Sequence, residues 1–251
     1  MRRLAVIFCL VVGLGACVPP EESNDRIKSY DPEVNIMGQI QARGVMRIGI
    51  PSDHPPFAIT EDPAPLGFVV DLGRLAAESL GVDPEFVAAP SSELLEMIDG
   101  WSTPPNGKDP QCIEETEVDL AFPMVPITEK MITAYTFTDP YWVGHTLTLL
   151  RDGVAIDQGP DVELLARAYD DPSLKVGGEQ QSTEGYGAAS RCGTTTFGSV
   201  ISQVINEADA EGEWTESYEA WLADLFEDPA PDEVPIMTVE DAAALYPAEF
   251  D

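Results

Sequence analysis

The chain has 251 residues, of which 45 are Asp or Glu and 13 are Lys or Arg, and its formal net charge is −32. A field this negative repels phosphate groups, which argues against nucleic acid and anionic lipid head groups as partners. The acidity is typical of a solvated surface on an exported protein, and a cation-binding role is the less common alternative. The length suffices for one or two domains with a hydrophobic core.

The first 17 residues have the pattern of a secretory signal peptide, in which two arginines precede an apolar stretch. The stretch ends in Leu-Gly-Ala followed by Cys17, which looks like a bacterial lipobox and predicts lipidation of that cysteine after removal of residues 1–16. An ordinary signal peptide with a chance cysteine is the alternative. No later stretch has the ~18 apolar residues that span a bilayer. We therefore expect a lipid-anchored protein on the outer side of the cell membrane, with a flexible tether over residues 17–43.

Beyond the tether, strands alternate with helices. Residues 46–50 alternate between apolar and polar, which predicts a first strand, and the prolines between Pro51 and Pro56 force a loop that holds His54. Apolar residues at helical spacing over 69–80 predict a helix, and a second short strand follows at 86–87. This alternation indicates an α/β fold with a mainly parallel sheet.

The central stretch predicts a strand end that faces a helix start. Residues 118–122 are a short apolar run typical of a buried strand, and Pro123 and Pro126 forbid its continuation. Thr128 can cap the helical turn that follows. Such an arrangement is a common small-ligand site in open α/β sheets.

The second half of the chain predicts a smaller unit and a tail. Residues 146–150 favour a strand that crosses into a second lobe, and residues 162–177 favour a helix and a further strand. An aromatic stripe at helical spacing over 214–225 is typical of core. The Pro-rich and acidic residues 227–251 form a tail, in which Thr238 can cap a short helix.

Two blocks of the sequence follow the order and spacing of one family signature. The first runs from Gly44 through Pro55-Pro56-Phe57 to Leu72. The second comprises Val118-Asp119, Ile127-Thr128-Glu129-Lys130 and Phe137-Thr138-Asp139-Pro140-Tyr141. These blocks resemble the bacterial extracellular solute-binding proteins of family 3, which are the polar amino-acid receptors of ABC importers.

The resemblance implies an α/β fold of the type II periplasmic-binding-protein kind, with two lobes. It places lobe 1 at residues 44–140 and 194–226, lobe 2 at residues 141–193, and an acidic C-terminal tail at 227–251. Lobe 2 is expected to be reduced to about half the family's size, because Arg191-Cys192-Gly193 leads almost directly into the family's C-terminal helix.

The resemblance also implies a ligand site between the lobes. The expected ligand-binding residues are His54, Phe57, Phe122, Pro126, Thr128, Met131, Ser182 and Thr183. Met131 stands where amino-acid-binding members have an arginine, and Pro126 stands where they have a small hydroxyl residue. The family's aspartate for the ligand ammonium group has no counterpart. An apolar wall at Met131 favours a neutral or cationic solute over an acidic amino acid.

Cysteine arithmetic predicts one disulfide. Cys9 leaves with the signal peptide and Cys17 takes the lipid, so Cys112 and Cys192 remain as an even pair in an exported protein. Two free buried thiols are the alternative.

The function expected from the resemblance is that of the solute receptor of an ABC-type importer, with the permease as its partner. A degenerate lipoprotein that acts as a sensor or interaction module is one alternative, and a small-molecule lyase or dehydratase on the same scaffold is another. His54 and His145 show no metal-binding spacing, and no Gly-x-Ser-x-Gly or phosphate loop occurs. We therefore expect no metal, no cofactor and no enzymatic activity.

Overall fold

The computed structural model describes residues 27–60, 64–102, 111–112, 115–227 and 237–246. The expected signal peptide and Cys17 lie outside the described residues. The helices are α1 (Ile36–Arg43), α2 (Phe68–Ser79), α3 (Ser91–Met97), α4 (Glu129–Ala134), α5 (Asp161–Asp170), α6 (Thr195–Glu211), α7 (Glu213–Trp221) and α8 (Val239–Ala244). No helix in the described part of the chain is both long and apolar enough to cross a bilayer.

The strands form one larger and several smaller sheets. They are β1 (Val45–Pro51), β2 (Asp83–Ala89), β3 (Trp101–Ser102), β4 (Gln111–Cys112), β5 (Leu120–Ala121), β6 (Thr136–Phe137), β7 (Trp142–Gly144), β8 (Thr146–Arg151), β9 (Val154–Pro160), β10 (Leu174–Gly177), β11 (Glu184–Tyr186) and β12 (Ala189–Ser190).

The expected lobe 1 contains a five-stranded sheet with the order β2-β1-β5-β12-β6, although β12 falls within the residues expected for lobe 2. Strands β2, β1 and β5 are parallel, and Ile48 of β1 pairs with Phe86 on one side and Leu120 on the other. β12 returns from lobe 2 and runs antiparallel to both β5 and β6. The α/β alternation expected from the sequence is confirmed, and the carboxyl ends of β1 and β5 lie at one edge.

The segment before β1 differs from the expected tether. Residues 36–43 form α1, whose Met37 and Ile40 are fully buried in the core. The side chain of Asn35 caps the helix by accepting from the Met37 N–H at 2.8 Å. Arg43 at its last turn pairs with the carboxylate of Asp119. A flexible tether through residue 43 is therefore wrong for residues 36–43, because these few apolar side chains pack against the lobe.

Lobe 2 has a three-stranded antiparallel sheet with the order β10-β8-β9, covered by α5. The chain from lobe 1 extends this sheet, since Phe226 forms a parallel bridge with Val176 and Glu227 N donates to the Val176 carbonyl at 2.8 Å. The pairing of residues 226–227 with Val176 therefore joins the two lobes, in addition to the chain segments that pass between them.

Aromatic side chains fill the junction of the lobes. Trp142, at the start of lobe 2, meets Phe57 edge-on at a centroid distance of 5.8 Å and stacks on Tyr218 at 6.2 Å. Trp214 stacks on Tyr218 at 5.5 Å and donates its indole N–H to the Tyr141 carbonyl. One continuous hydrophobic core thus runs through both lobes.

A disulfide and a helix cap stabilise two peripheral segments of the chain. The structure joins Cys112 and Cys192 in a disulfide, with Cα atoms 5.9 Å apart and a sequence separation of 80. In the C-terminal segment, Thr238 caps α8 by accepting from Asp241 N and donating to the Asp241 carboxylate. Ala242 and Ala243 of α8 are buried, so this part of the acidic tail packs against the lobes.

Candidate functional site

The loop after β1 holds His54 at the edge where the parallel strands end. Asp53 Oδ1 lies 2.9 Å from His54 Nδ1 and accepts from the Ser91 N–H at 3.0 Å. The Ser91 hydroxyl in turn accepts from Met124 N at 2.8 Å. This chain of hydrogen bonds joins the His54 loop to the segment that follows β5. The His54 side chain is 16% exposed.

Phe57 and Phe122 lie in the core below this edge. Neither side chain has exposed surface. Phe57 packs between Phe68 and Trp142, and Phe122 lies against Tyr141 at a centroid distance of 5.5 Å. These two residues support the edge from inside rather than face solvent.

The start of α4 carries three of the expected site residues. Thr128 caps α4 by accepting from the Met131 N–H at 3.2 Å. The half-buried Pro126 precedes it and has no N–H to donate. The Met131 side chain packs against an apolar cluster that includes Ala242 and Ala243 of α8.

The other two expected site residues, Ser182 and Thr183, precede β11. Ser182 Oγ accepts from Thr146 N at 2.9 Å, and the Ser182 carbonyl lies 2.6 Å from His145 Nδ1. The hydroxyl of Ser182 is therefore engaged within its own lobe, and the half-buried Thr183 follows it. The Ile127 N–H donates to the Gly185 carbonyl at 2.9 Å, so the start of α4 lies beside residues 182–185.

Sequence reasoning missed Glu184. This residue directly follows Ser182 and Thr183 and precedes Gly185, whose carbonyl accepts from Ile127 N. Glu184 is 8% exposed. Its carboxylate accepts from the Tyr186 hydroxyl at 2.6 Å and from the Tyr246 hydroxyl at 2.8 Å. Burial, together with the Glu184 carboxylate, raises the pKa of Tyr246 to about 12. The position directly after Ser182 and Thr183 was the available signal for Glu184, whereas nothing in the sequence pointed to Tyr246.

Asp161 was also missed and lies beside the β7–β11 pair, against Gly144. It is 1% exposed, and burial raises its pKa to about 7, with a further contribution from the Glu184 charge. The backbone N–H groups of His145 and Val162 and the indole N–H of Trp142 lie beside this carboxyl group and partly offset the effect of burial on its pKa. The site thus combines hydroxyls, an apolar methionine and buried carboxylates, which suits a solute that donates hydrogen bonds.

Within the described residues, no three His, Cys, Asp or Glu side chains are arranged to hold a metal ion. The sequence of residues 46–100 matches the bacterial extracellular solute-binding proteins, family 3. No curated protein matches the chain in sequence.

Several solved structures share the fold. A mutant of ArgBP from T. maritima has a TM-score of 0.55 at 19% identity, over 74% of this chain and 98% of that chain. An ancestral arginine-binding protein bound to glutamine has a TM-score of 0.55 at 20% identity, over 72% and 98% of the two chains. An ancestral amino acid-binding protein, described as a precursor of cyclohexadienyl dehydratase, has a TM-score of 0.57 at 16% identity, over 74% and 98%.

These likenesses cover the β1-to-α3 region in sequence and most of the chain in fold. The solved structures show that the chain has a type II periplasmic-binding-protein fold, and residues 46–100 are similar in sequence to the bacterial extracellular solute-binding proteins, family 3.

Proposed function

We propose that the chain is the membrane-anchored, extracytoplasmic receptor of an ABC-type importer and binds an amino acid or a similar small polar solute between its lobes. The family and the fold support this function. The observation that carries the proposal is the hydrogen bond from Ile127 N to the Gly185 carbonyl. It sets the start of α4, from lobe 1, beside the Ser182–Glu184 segment of lobe 2.

The proposed contacts come from both lobes. Lobe 1 supplies His54, Pro126, Thr128 and Met131, with Phe57 and Phe122 as the apolar support beneath them. Lobe 2 supplies Ser182, Thr183 and the additional carboxylate of Glu184.

The charges of this site favour a neutral or cationic solute. Met131 offers no positive charge, and Glu184 is a buried carboxylate without an ion-pair partner among the described residues. A second carboxylate from an acidic side chain would add an unpaired charge, which costs several kcal/mol when buried. Amides, ammonium groups and guanidinium groups can instead donate to Glu184.

Calorimetric titration with arginine, lysine, glutamine and glutamate tests the binding function. We expect binding of a neutral or cationic amino acid and much weaker binding of glutamate. Tight binding of glutamate alone would contradict the charge argument. Absence of binding for a broad panel of amino acids and polyamines would contradict the receptor function.

The lipid anchor and the permease partner form a separate part of the proposal. The Leu-Gly-Ala-Cys17 ending supports the anchor. Replacement of Cys17 with serine should release the protein from the membrane fraction of fractionated cells. Unchanged membrane retention would contradict lipidation at this residue.

A lyase is the second candidate, because one similar structure is described as a precursor of cyclohexadienyl dehydratase. Incubation of the protein with any solute that it binds, followed by product analysis, separates the two functions. A receptor returns the solute unchanged, whereas a lyase yields an unsaturated product.

A further inference from the structure

The disulfide between Cys112 and Cys192 lies in the wall of a cavity of about 490 Å³. The rest of the wall comes from the α4–β6 segment, the start of α6 and the start of α8, with Tyr135, Phe137 and Val239 among its apolar side chains. Of the described residues, those proposed to bind the solute do not line this cavity. The cavity is therefore separate from the candidate site, and both cysteines border it.

The two cysteines differ in exposure. Cys112, in β4, is exposed, whereas Cys192 is 6% exposed. Thiol–disulfide exchange begins when a thiolate attacks one of the two sulfur atoms, and access helps to decide which sulfur is attacked. A small thiol in the cavity can reach the Sγ atom of Cys112 more readily than that of Cys192. The structure therefore favours attack at Cys112, with Cys192 as the leaving group.

Helix α6 begins shortly after Cys192. Its N-cap residue, Thr194, follows Cys192 by two positions, and the helix is 17 residues long. The Thr194 side chain does not cap the helix, since its hydroxyl donates to the Arg191 carbonyl at 2.7 Å and lies 2.7 Å from Ser190 Oγ. The start of a helix carries positive partial charge, which stabilises a thiolate. Because a stabilised thiolate leaves a disulfide more readily, this position suits Cys192 to the role of leaving group.

The charged side chains around the cavity are acidic. Glu240, in the first turn of α8, lines it, and an adjoining cavity of about 420 Å³ shares Glu240 and reaches Asp139. Among the described residues that line the two cavities there is no Lys, Arg or His. Burial raises the pKa of Tyr135, and the negative charges of Asp99 and Glu96 raise it further. A negative potential attracts cations and repels anions, so the cavity discriminates among thiols by their charge.

We propose that Cys112 and Cys192 form a thiol-exchange site of the folded protein, which accepts a small cationic aminothiol in this cavity. The thiolate of the aminothiol attacks Cys112 Sγ and forms a mixed disulfide with it. The bond between the two cysteines breaks, and its electron pair leaves on Cys192 Sγ. A second thiolate then attacks the sulfur of the bound aminothiol, which releases a small disulfide and leaves Cys112 as a thiolate. The two thiol molecules supply both electrons, so no other reductant is needed, and neither the solute nor the permease takes part.

Small thiols of similar size and different charge test the proposal: cysteamine is a cation, 2-mercaptoethanol is neutral and 2-mercaptoethanesulfonate is an anion. The oxidised, folded protein is mixed with each thiol without denaturant, quenched with an alkylating agent and analysed by peptide mass spectrometry. Each rate is divided by the rate of the same thiol with a small soluble disulfide, which removes differences in intrinsic reactivity. We expect cysteamine to react about tenfold faster than the sulfonate on this scale, with its adduct on Cys112 and a newly alkylated Cys192.

Glu240→Gln tests the contribution of charge without altering the disulfide. Glu240 is exposed, and the cap of α8 uses Thr238 and Asp241 instead. The variant should reduce the preference for cysteamine over the sulfonate roughly threefold. Glu163→Gln is the matched control and should leave the preference unchanged, because Glu163 is likewise exposed in the first turn of a helix but does not line the described cavity. In the unmodified protein, added salt should weaken the preference, since exposed charges are screened.

The dependence of the rate on thiol concentration shows whether exchange occurs in the folded protein. The rate should rise in proportion to the thiol concentration. A rate that levels off at the rate of unfolding would overturn the proposal, because attack would then wait for the chain to open. A first adduct on Cys192 would overturn the direction of attack, and equal normalised rates for the three thiols would overturn the preference for a cationic thiol.

Discussion

Gly144 and Asp161 are packed so tightly that any side chain at Gly144 would meet the carboxylate, with a Cβ 2.4 Å from Asp161 Oδ1. Glycine at this position lets α5 begin directly against β7. The cost is a carboxyl group held away from water, which raises the pKa of Asp161 to about 7.

This shift predicts how stability depends on pH. The folded pKa lies above the ordinary value of 3.8, so the folded state holds the proton more tightly than the unfolded state does. The stability that the protonated group contributes is complete below pH 3.8 and is lost as the pH rises to about 7. Each unit of pKa shift corresponds to about 1.4 kcal/mol.

We therefore expect the free energy of unfolding of Asp161→Asn to fall less than that of the unmodified protein as the pH rises from about 4 to about 8. Urea unfolding at several pH values measures the difference. Glu163→Gln is the matched control, because Glu163 is exposed in the first turn of the same helix. Parallel stability curves for Asp161→Asn and the unmodified protein would contradict the raised pKa.

The disulfide predicts a large loss of stability on reduction. The bridge between Cys112 and Cys192 closes a loop of 80 residues, and the chain-entropy model assigns such a loop ~4.5 kcal/mol at 25 °C. A Cys112→Ser and Cys192→Ser double variant should lose up to that free energy of unfolding, measured by urea titration. Identical unfolding curves with and without reductant would show that the thiols are not joined in solution.

The ion pair between Arg43 of α1 and Asp119 predicts that this charge interaction helps to hold α1 against the rest of the fold. Asp119 is 4% exposed, accepts from the Arg47 N–H at 2.8 Å and pairs with the side chains of Arg43 and Arg47. Asp119→Ala leaves those donors without their acceptor and should cost about 1–3 kcal/mol. Arg151→Ala, which breaks an exposed pair with Asp171, should cost less than about 1 kcal/mol. A similar loss for both variants would contradict the anchor.

The sequence predicted the parts of the fold that depend on local pattern. Strand β1, helix α2 and the Thr128 cap fall where periodicity and capping residues place them. It did not predict α1, because this segment has few apolar residues and its composition is typical of a linker. Strand β9 was missed because its residues are mostly exposed and show no alternation.

The candidate site likewise contains residues that a local sequence pattern predicts and residues that only long-range contacts bring together. Thr128 and Ser182 could be placed from motif spacing, but Glu184 and Tyr246 meet across 62 residues of sequence separation. No local pattern encodes that contact, because it depends on how the C-terminal segment returns over β11. The same long-range return explains why α4 and α8 are in contact in the structure.

Met131 gives the last prediction, because its side chain packs against the cluster that contains Ala242 and Ala243. An arginine at this position would bring a charge into that cluster, which is costly unless the charge is paired or solvated. Met131→Arg should therefore loosen α8, and hydrogen exchange in Val239–Ala244 should accelerate. The planar guanidinium would then be free to bind an α-carboxylate through two hydrogen bonds, so amino-acid affinity should rise. Met131→Leu keeps the apolar contact and is the control for both measurements. If α8 loosens while the affinity stays the same, the reduced second lobe limits the site rather than the missing arginine. If α8 exchange does not change, the apolar cluster around Met131 is not what holds that helix in place.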